Sequence, residues 1–374
     1  MTNEAPLQFT VRTADGPART CVMVTRRGPV STPAFMPVGT AGSVKGMLPS
    51  ELRELGAEII LANTYHLHVR PGEDLVRRFG GVGRFSGWDG PVLTDSGGYQ
   101  VFSLAARRTI NDDGVVFQDH VEGSRRRLTA ESSIAIQEAL GADVMMQLDD
   151  CTGDPGDRDE AEAALARTTR WLPRCLAARR DPTAALFGIV QGGVFEDLRG
   201  RSVEAVAATA CDGVAVGGVS VGETNEDMRR VMAFCGPRLP VERPRYLMGV
   251  GRPADLVEAV AVGFDLFDCV LPTRHGRTAQ LFTSRGVINM RNARHREDPR
   301  PPDPDCRCPV CRTFSRAYLR HLYMAGELLG PRAGTLHNLH YYLDLMAQMR
   351  AAIAAGRFGA FRAQTRERLV AGDA

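Results

Sequence analysis

The feature that most constrains this chain is a repeat of short apolar runs, each followed by a helix-like stretch. The runs are Phe35–Gly39, Ile59–Asn63, Val92–Ser96, Val144–Asp150, Leu186–Gln191, Val214–Gly218, Tyr246–Val250 and Leu266–Val270. Runs this short and this continuously apolar suit strands buried on both faces, as in a parallel sheet. Strand then helix, about eight times over, predicts an α/β chain closed into a (β/α)₈ barrel of the TIM type. A doubly wound open sheet is the alternative, but no GxGxxG turn follows the first strand.

The intervening helices have readable ends. Thr129–Gly141 finishes on a glycine suited to a C-cap, Asp159–Arg180 is longer and amphipathic, and Pro253–Val260 opens on a proline tolerated in a first turn. Leu7–Arg12 and Arg19–Thr25 read as a hairpin ahead of the barrel. Arg107–Leu128, with its Asp113-Gly114 turn, reads as a hairpin inserted after the third strand.

In a barrel, active sites form at the C-terminal ends of the strands. Polar residues collect there: Asn63, Asp95 and Ser96, Asp149 and Asp150, Gln191, Gly217 and Gly218, Gly249, and Asp268. Asp268 stands out within LFDCVLPTRHGR (266–277), a carboxylate inside an apolar run with two arginines beyond it. Burying such a charge costs several kcal/mol unless something compensates it. Several carboxylates from separate strands would converge on one pocket.

Nine cysteines in 374 residues do not read as a disulfide scaffold. Three crowd into Cys306-Arg307-Cys308-Pro309-Val310-Cys311, a spacing that lets thiolates face one tetrahedral ion. His337 or His340, on the helix-like stretch 335–343, could supply the fourth ligand. Three Cys and one His leave no open position, which marks a structural metal, and the soft closed set favours zinc.

Composition excludes little else. No run approaches the roughly 18 apolar residues of a membrane span, and the polar, acid-containing N-terminus reads as no secretory or transit signal. The expected compartment is the cytoplasm. Net charge is only +2, and Lys45 is the one lysine among 46 basic residues. Arginine suits bidentate phosphate contacts, but base bias in a genome gives the same skew, so composition does not decide for nucleic acid.

Taken in order, NTYHL (63–67), TDSGGYQ (94–100), LDDCT (148–152), GIVQGG (188–193), VGGVSVGE (216–223), YLMGVG (246–251), FDCVLPTRHGR (267–277) and CRCPVC with His337 resemble one family, the queuine tRNA-ribosyltransferases or tRNA-guanine transglycosylases. The resemblance spans about Phe9 to Leu343. It implies a modified TIM barrel with a C-terminal zinc subdomain, and, for bacterial members, exchange of guanine at the anticodon wobble position for preQ1. By the same matching Asp268 is the nucleophile on the ribose, and Asp95 the general acid/base. Ser96, Asp149, Cys151, Gln191, Gly218, Val219, Val221 and Gly249 would line the base pocket, with Tyr99 and Met248 sandwiching the ring. Arg274 and Arg277 would contact the tRNA anticodon stem-loop, and Cys306, Cys308, Cys311 and His337 would hold one Zn²⁺.

Those residue types fit the chemistry, because a carboxylate can trap the positive ribose of a breaking glycosidic bond. Asp268 must then be ionised, with Arg274 expected to help. Cys151 with Val221 resembles the bacterial preQ1 users. Val219 stands where Leu is usual, and His275 where a smaller polar residue is common. The expected organisation is a catalytic barrel with its N-terminal hairpin over 1–272, a zinc subdomain over 273–345 and a helical segment over 346–374, in a homodimer. From the short C-terminal remainder, the extra RNA-binding domains of archaeosine-forming relatives are not expected. The competing readings are a non-catalytic zinc-containing tRNA-binding accessory subunit, expected to lose Asp268, and a metal-dependent barrel hydrolase, for which the strand ends lack histidines.

Overall fold

The first barrel strand is interrupted at its proline. A computed structural model describes residues 5–104 and 108–371, and in it Ala34–Met36 (β1) and Val38–Gly39 (β2) flank Pro37. Pro37 has no N–H to give a ladder, but its carbonyl accepts from Leu61 N at 3.0 Å. The other strands are Ile60–Ala62 (β3), Val92–Thr94 (β4), Val144–Met146 (β5), Ala185–Val190 (β6), Gly213–Val216 (β7), Arg245–Leu247 (β8) and Leu266–Asp268 (β9). They run parallel in the order β1-β9-β8-β7-β6-β5-β4-β3-β2. Because β1 and β2 are one stretch of chain, the two ends of the sheet meet at Pro37 and the barrel has eight stations.

Met36, Leu61, Leu93, Met146, Phe187, Ile189, Ala215, Tyr246 and Leu266 share one buried cluster, the packed interior expected of such a barrel. The expected helices are present as Ala130–Ala139, Arg158–Ala178 and Pro253–Ala261. Thr129 caps the first of them by accepting from Ser132 N.

Both expected hairpins carry a third strand. Gln8–Asp15 and Ala18–Thr25 are joined by Gly28–Thr32. In the insertion Arg108–Asn111 and Gly114–Gln118 are joined by Arg125–Leu128. Arg107, the expected start of that insertion, lies outside the described residues.

Beyond β9 the chain forms the helix Leu271–Arg277 (α1), a hairpin of Gln280–Thr283 and Gly286–Asn289, short helices over Pro309–Thr313 and Arg316–Ala325, and then the 26-residue helix Leu329–Ala354 (α2). α1 spans the 272/273 junction and α2 runs unbroken through 345/346. α2 crosses α1 so closely that a Cβ on Gly276 would lie 2.5 Å from Thr335 N. Further along α2, Tyr342, Leu345, Met346, Met349 and Ile353 join the cluster between barrel and helices. Among the described residues no helix is long and apolar enough to cross a membrane.

Candidate active site

Asp268 is the last residue of β9, and Oδ1 takes both of its hydrogen bonds. Tyr246 Oη, from the neighbouring β8, donates at 2.6 Å, and Gly249 N, from the loop after β8, donates at 2.8 Å. No described residue donates to Oδ2. Burial pushes the Asp268 carboxyl up, and these two donors oppose that by favouring the ionised form. The expected help from Arg274 is not found: Arg274 is exposed and makes no ion pair with Asp268. The Tyr246 contact with Asp268 has no mark in the sequence. A tyrosine in an apolar strand reads as core, and 1% exposed it is core, yet its hydroxyl reaches out of the barrel interior to the carboxylate.

Asp95 follows β4. Its Oδ1 accepts from Thr64 N at 2.8 Å, and its Oδ2 accepts from Asn63 Nδ2 and from Gln100 Nε2 at 2.6 Å. Burial nevertheless raises its pKa to about 6, and the charge of Asp268 adds to the rise. The two carboxylates therefore feel one another across the mouth of the barrel. Two buried carboxyls, both pushed upward by desolvation, thus share the barrel mouth, each held by its own set of donors.

A second group of side chains forms a closed network beside them. Ser96 Oγ donates to Asp149 Oδ1 and Gln191 Nε2 donates to Asp149 Oδ2, each at 2.8 Å. Burial raises the Asp149 pKa against those bonds. The second glycine of TDSGG serves this packing: a Cβ on Gly98 would meet the Asp149 carbonyl at 2.6 Å. Gly218 lies beside Gln191 with φ +60, and a Cβ there would meet Gln191 Oε1 at 2.2 Å. Asp150, the other carboxylate of that strand end, turns away to pair with Arg167 at 2.6 Å.

Cys151 and Val219 are buried, Val221, Met248 and Gly249 are half-buried, and Tyr99 is 45% exposed on the helix Gly98–Leu104. Glu223 accepts from the backbone N–H groups of Ser220 and Val221 and so fixes that loop. Arg274 is exposed and Arg277 is half-buried, its Nη1 donating to Thr273 O at 2.9 Å. Neither pairs with a carboxylate among the described residues. His275 has a packing place: its ring stacks on Phe282 at 5.3 Å and 7°.

Cys306, Cys308, Cys311 and His337 come together as a group able to hold a metal ion, their ligand atoms within 4.8 Å of one another. His337 Nδ1 lies 4.0, 3.4 and 3.2 Å from the three sulfurs, whereas His340 Nδ1 is close to Cys306 alone. That resolves the choice left open by sequence in favour of His337. Its Nε2 lies 2.8 Å from the Phe282 carbonyl, a bond in which the ring donates and which leaves Nδ1 as the nitrogen facing the three sulfurs.

Fold and site together define a (β/α)₈ enzyme with a carboxylate pair at its mouth and a closed Cys₃His group alongside. The sequence matches the family described as queuine tRNA-ribosyltransferase over residues 14–371. It is 51% identical over 362 residues to the queuine tRNA-ribosyltransferase of Solidesulfovibrio magneticus, covering 96% of this chain and 97% of that one. The proteins of that name from Dinoroseobacter shibae (51% over 366 residues, 98% and 97% covered) and Herminiimonas arsenicoxydans (51% over 362, 95% and 96% covered) are equally similar. The chain belongs to the queuine tRNA-ribosyltransferase family and is thereby a tRNA-guanine transglycosylase, a tRNA-processing transferase of queuosine biosynthesis.

Proposed function

We propose that this enzyme exchanges guanine at the anticodon wobble position for preQ1 by double displacement through Asp268. The observation that carries the reading is the asymmetry of that carboxylate: Tyr246 and Gly249 both hold Oδ1, leaving Oδ2 for attack. Oδ2 bonds to the ribose C1′ as the glycosidic bond breaks, and the bonding pair leaves with guanine. Asp95 gives the departing base its proton. The incoming base returns a proton to Asp95, its ring nitrogen bonds to C1′, and the Asp268 ester is released as carboxylate, so protons and bonds balance over the cycle.

The base would take over the Asp149 network. Asp149 would accept from the N–H groups of the guanine edge, freeing Gln191 Nε2 to donate with Gly218 N–H to the 6-oxo oxygen. Tyr99 and Met248 would enclose the ring after the base leaves its stack, and Ser96, Val219 and Gly249 would shape the floor. Cys151 and Val221 would leave room for preQ1 and less for queuine. Arg274 and Arg277, unpaired by carboxylates, would hold the phosphates of the anticodon stem-loop.

The Cys306, Cys308, Cys311 and His337 group fits zinc in ligand type and number, with a histidine whose second nitrogen is already engaged. Bound there, zinc would hold segment 273–345 in shape and supply no chemistry to the barrel mouth. A homodimer fits the apolar side chains exposed near this region, Tyr318, Met324 and Leu328, at 41%, 58% and 86%. Acting on tRNA, the enzyme would work in the cytoplasm.

The test is incorporation of labelled guanine into tRNA. Asp268→Asn is expected to abolish it, and the wild type to form a denaturation-resistant adduct with an anticodon stem-loop. Full exchange in Asp268→Asn would sink the nucleophile assignment.

A further inference from the structure

The helix Glu196–Ala207 carries an arginine that no role above uses. Arg199 is wholly buried, 0% exposed, and has no carboxylate partner among the described residues. Its guanidinium donates to four backbone carbonyls instead: Gly193 O at 2.8 Å, Val190 O at 3.0 Å, Gly217 O at 2.7 Å and Gly218 O at 2.9 Å. Val190 ends β6 and Gly193 lies in the loop after it, while Gly217 and Gly218 lie in the loop after β7, so the four flank Gln191 and include Gly218. The glycines of these two strand ends are pressed close. A Cβ on Gly192 would meet Arg199 N at 2.9 Å, and one on Gly217 would meet Gln191 Nε2 at 3.0 Å.

A buried cation without a counter-charge is costly unless hydrogen bonds compensate it, and four of the five guanidinium N–H groups donate here to the ends of β6 and β7. The peptide between Gly217 and Gly218 is trans and planar, so its C=O and N–H point in opposite directions. Arg199 holds the carbonyl end, which leaves the Gly218 N–H directed away from the helix. A donor on a carbonyl polarises the amide and strengthens the N–H at its far end. The same fork ties the Gln191 strand end to the Gly218 loop at one fixed spacing.

We propose that Arg199 is a positioning residue for base recognition. From behind the pocket wall it fixes Gln191 and Gly218 as a paired donor site and polarises the Gly217 peptide toward a 6-oxo purine. The proposal rests on the reading above, in which those two groups donate to the 6-oxo oxygen. It gives Arg199 selectivity for bases bearing that acceptor, through groups it never shares with the base.

The test compares wild type, Arg199→Lys and Arg199→Gln for inhibition constants of guanine and of 2-aminopurine, which lacks the oxygen. Melting temperature and metal content are recorded for each protein. The expected result is folded variants that bind guanine at least about tenfold more weakly, the scale of one polarised hydrogen bond, with 2-aminopurine unchanged. Lysine is expected to recover little, since one ammonium cannot span both loops. Equal losses for the two bases, unchanged guanine binding, or failure of both variants to fold would each overturn the proposal and leave Arg199 a scaffold residue. Wild-type protein indifferent to the oxygen would instead overturn the assignment of Gln191 and Gly218.

Discussion

At the scale of single residues the active site is governed by desolvation. Asp95 is the clearest case: burial raises its pKa to about 6, well above the ordinary carboxylate value of 3.8. For a group shifted upward the sign is fixed. Its stabilising contribution is complete below the unfolded pKa and is lost as pH rises through the folded one. Asp95→Asn, which cannot ionise, should therefore gain stability on the wild type between about pH 4 and pH 7, by up to about 3 kcal/mol for a shift near two units. Thermal melts of both proteins across that range check it, and a difference that shrinks with rising pH would contradict the buried-acid reading. The same variant should lose exchange activity, so a gain in stability would accompany a loss of function.

Elements explain what was legible in the sequence and what was not. The barrel strands were visible because both of their faces are apolar, and the carboxylates because they break that pattern at strand ends. Tyr246 and Arg199 were not visible, since a tyrosine in a strand and an arginine on a helix carry no mark of the partner they will meet. Neither was the third strand of each small sheet, whose pairing depends on tertiary neighbours more than on local propensity. The contact between α1 and α2 belongs to the same class. Gly276 reads as one glycine among 39, yet it stands where two helix backbones touch, with Gly334 C only 2.6 Å from the place of its missing Cβ. Tyr323 Oη also donates to the Gly276 carbonyl at 2.6 Å. Gly276→Ala should push α1, which carries Arg274 and Arg277, off α2 at a cost of about 1–3 kcal/mol. Denaturant unfolding measures it, and a neutral change would mean the crossing is softer than its geometry.

For the whole molecule the question is how the metal group and the barrel depend on one another. His337 of the Cys₃His group stands on α2, and its neighbour Asn338 donates to Pro272 O and Gln280 O at 3.0 Å each while accepting from Phe282 N at 2.9 Å. Removing the metal should free segment 306–311 and loosen that side of α2. Purified protein is expected to carry about one zinc per chain, and chelation to lower the melting temperature by several degrees, following the usual coupling of ligation to folding. Metal-free protein with unchanged melting would count against the ligand assignment.

The unbroken course of α2 has a consequence for how this protein comes apart. Within one helix, His337 belongs to the Cys₃His group and Tyr342, Met346 and Met349 to the barrel's outer layer, and the Tyr342 hydroxyl is bonded to the Gly251 carbonyl, in the loop whose Gly249 donates to Asp268. No linker separates the two regions that could let one melt while the other stands. Hydrogen exchange should register them as a single foldon, opening together. A cell starved of metal would then lose the catalytic barrel along with the site that binds the ion.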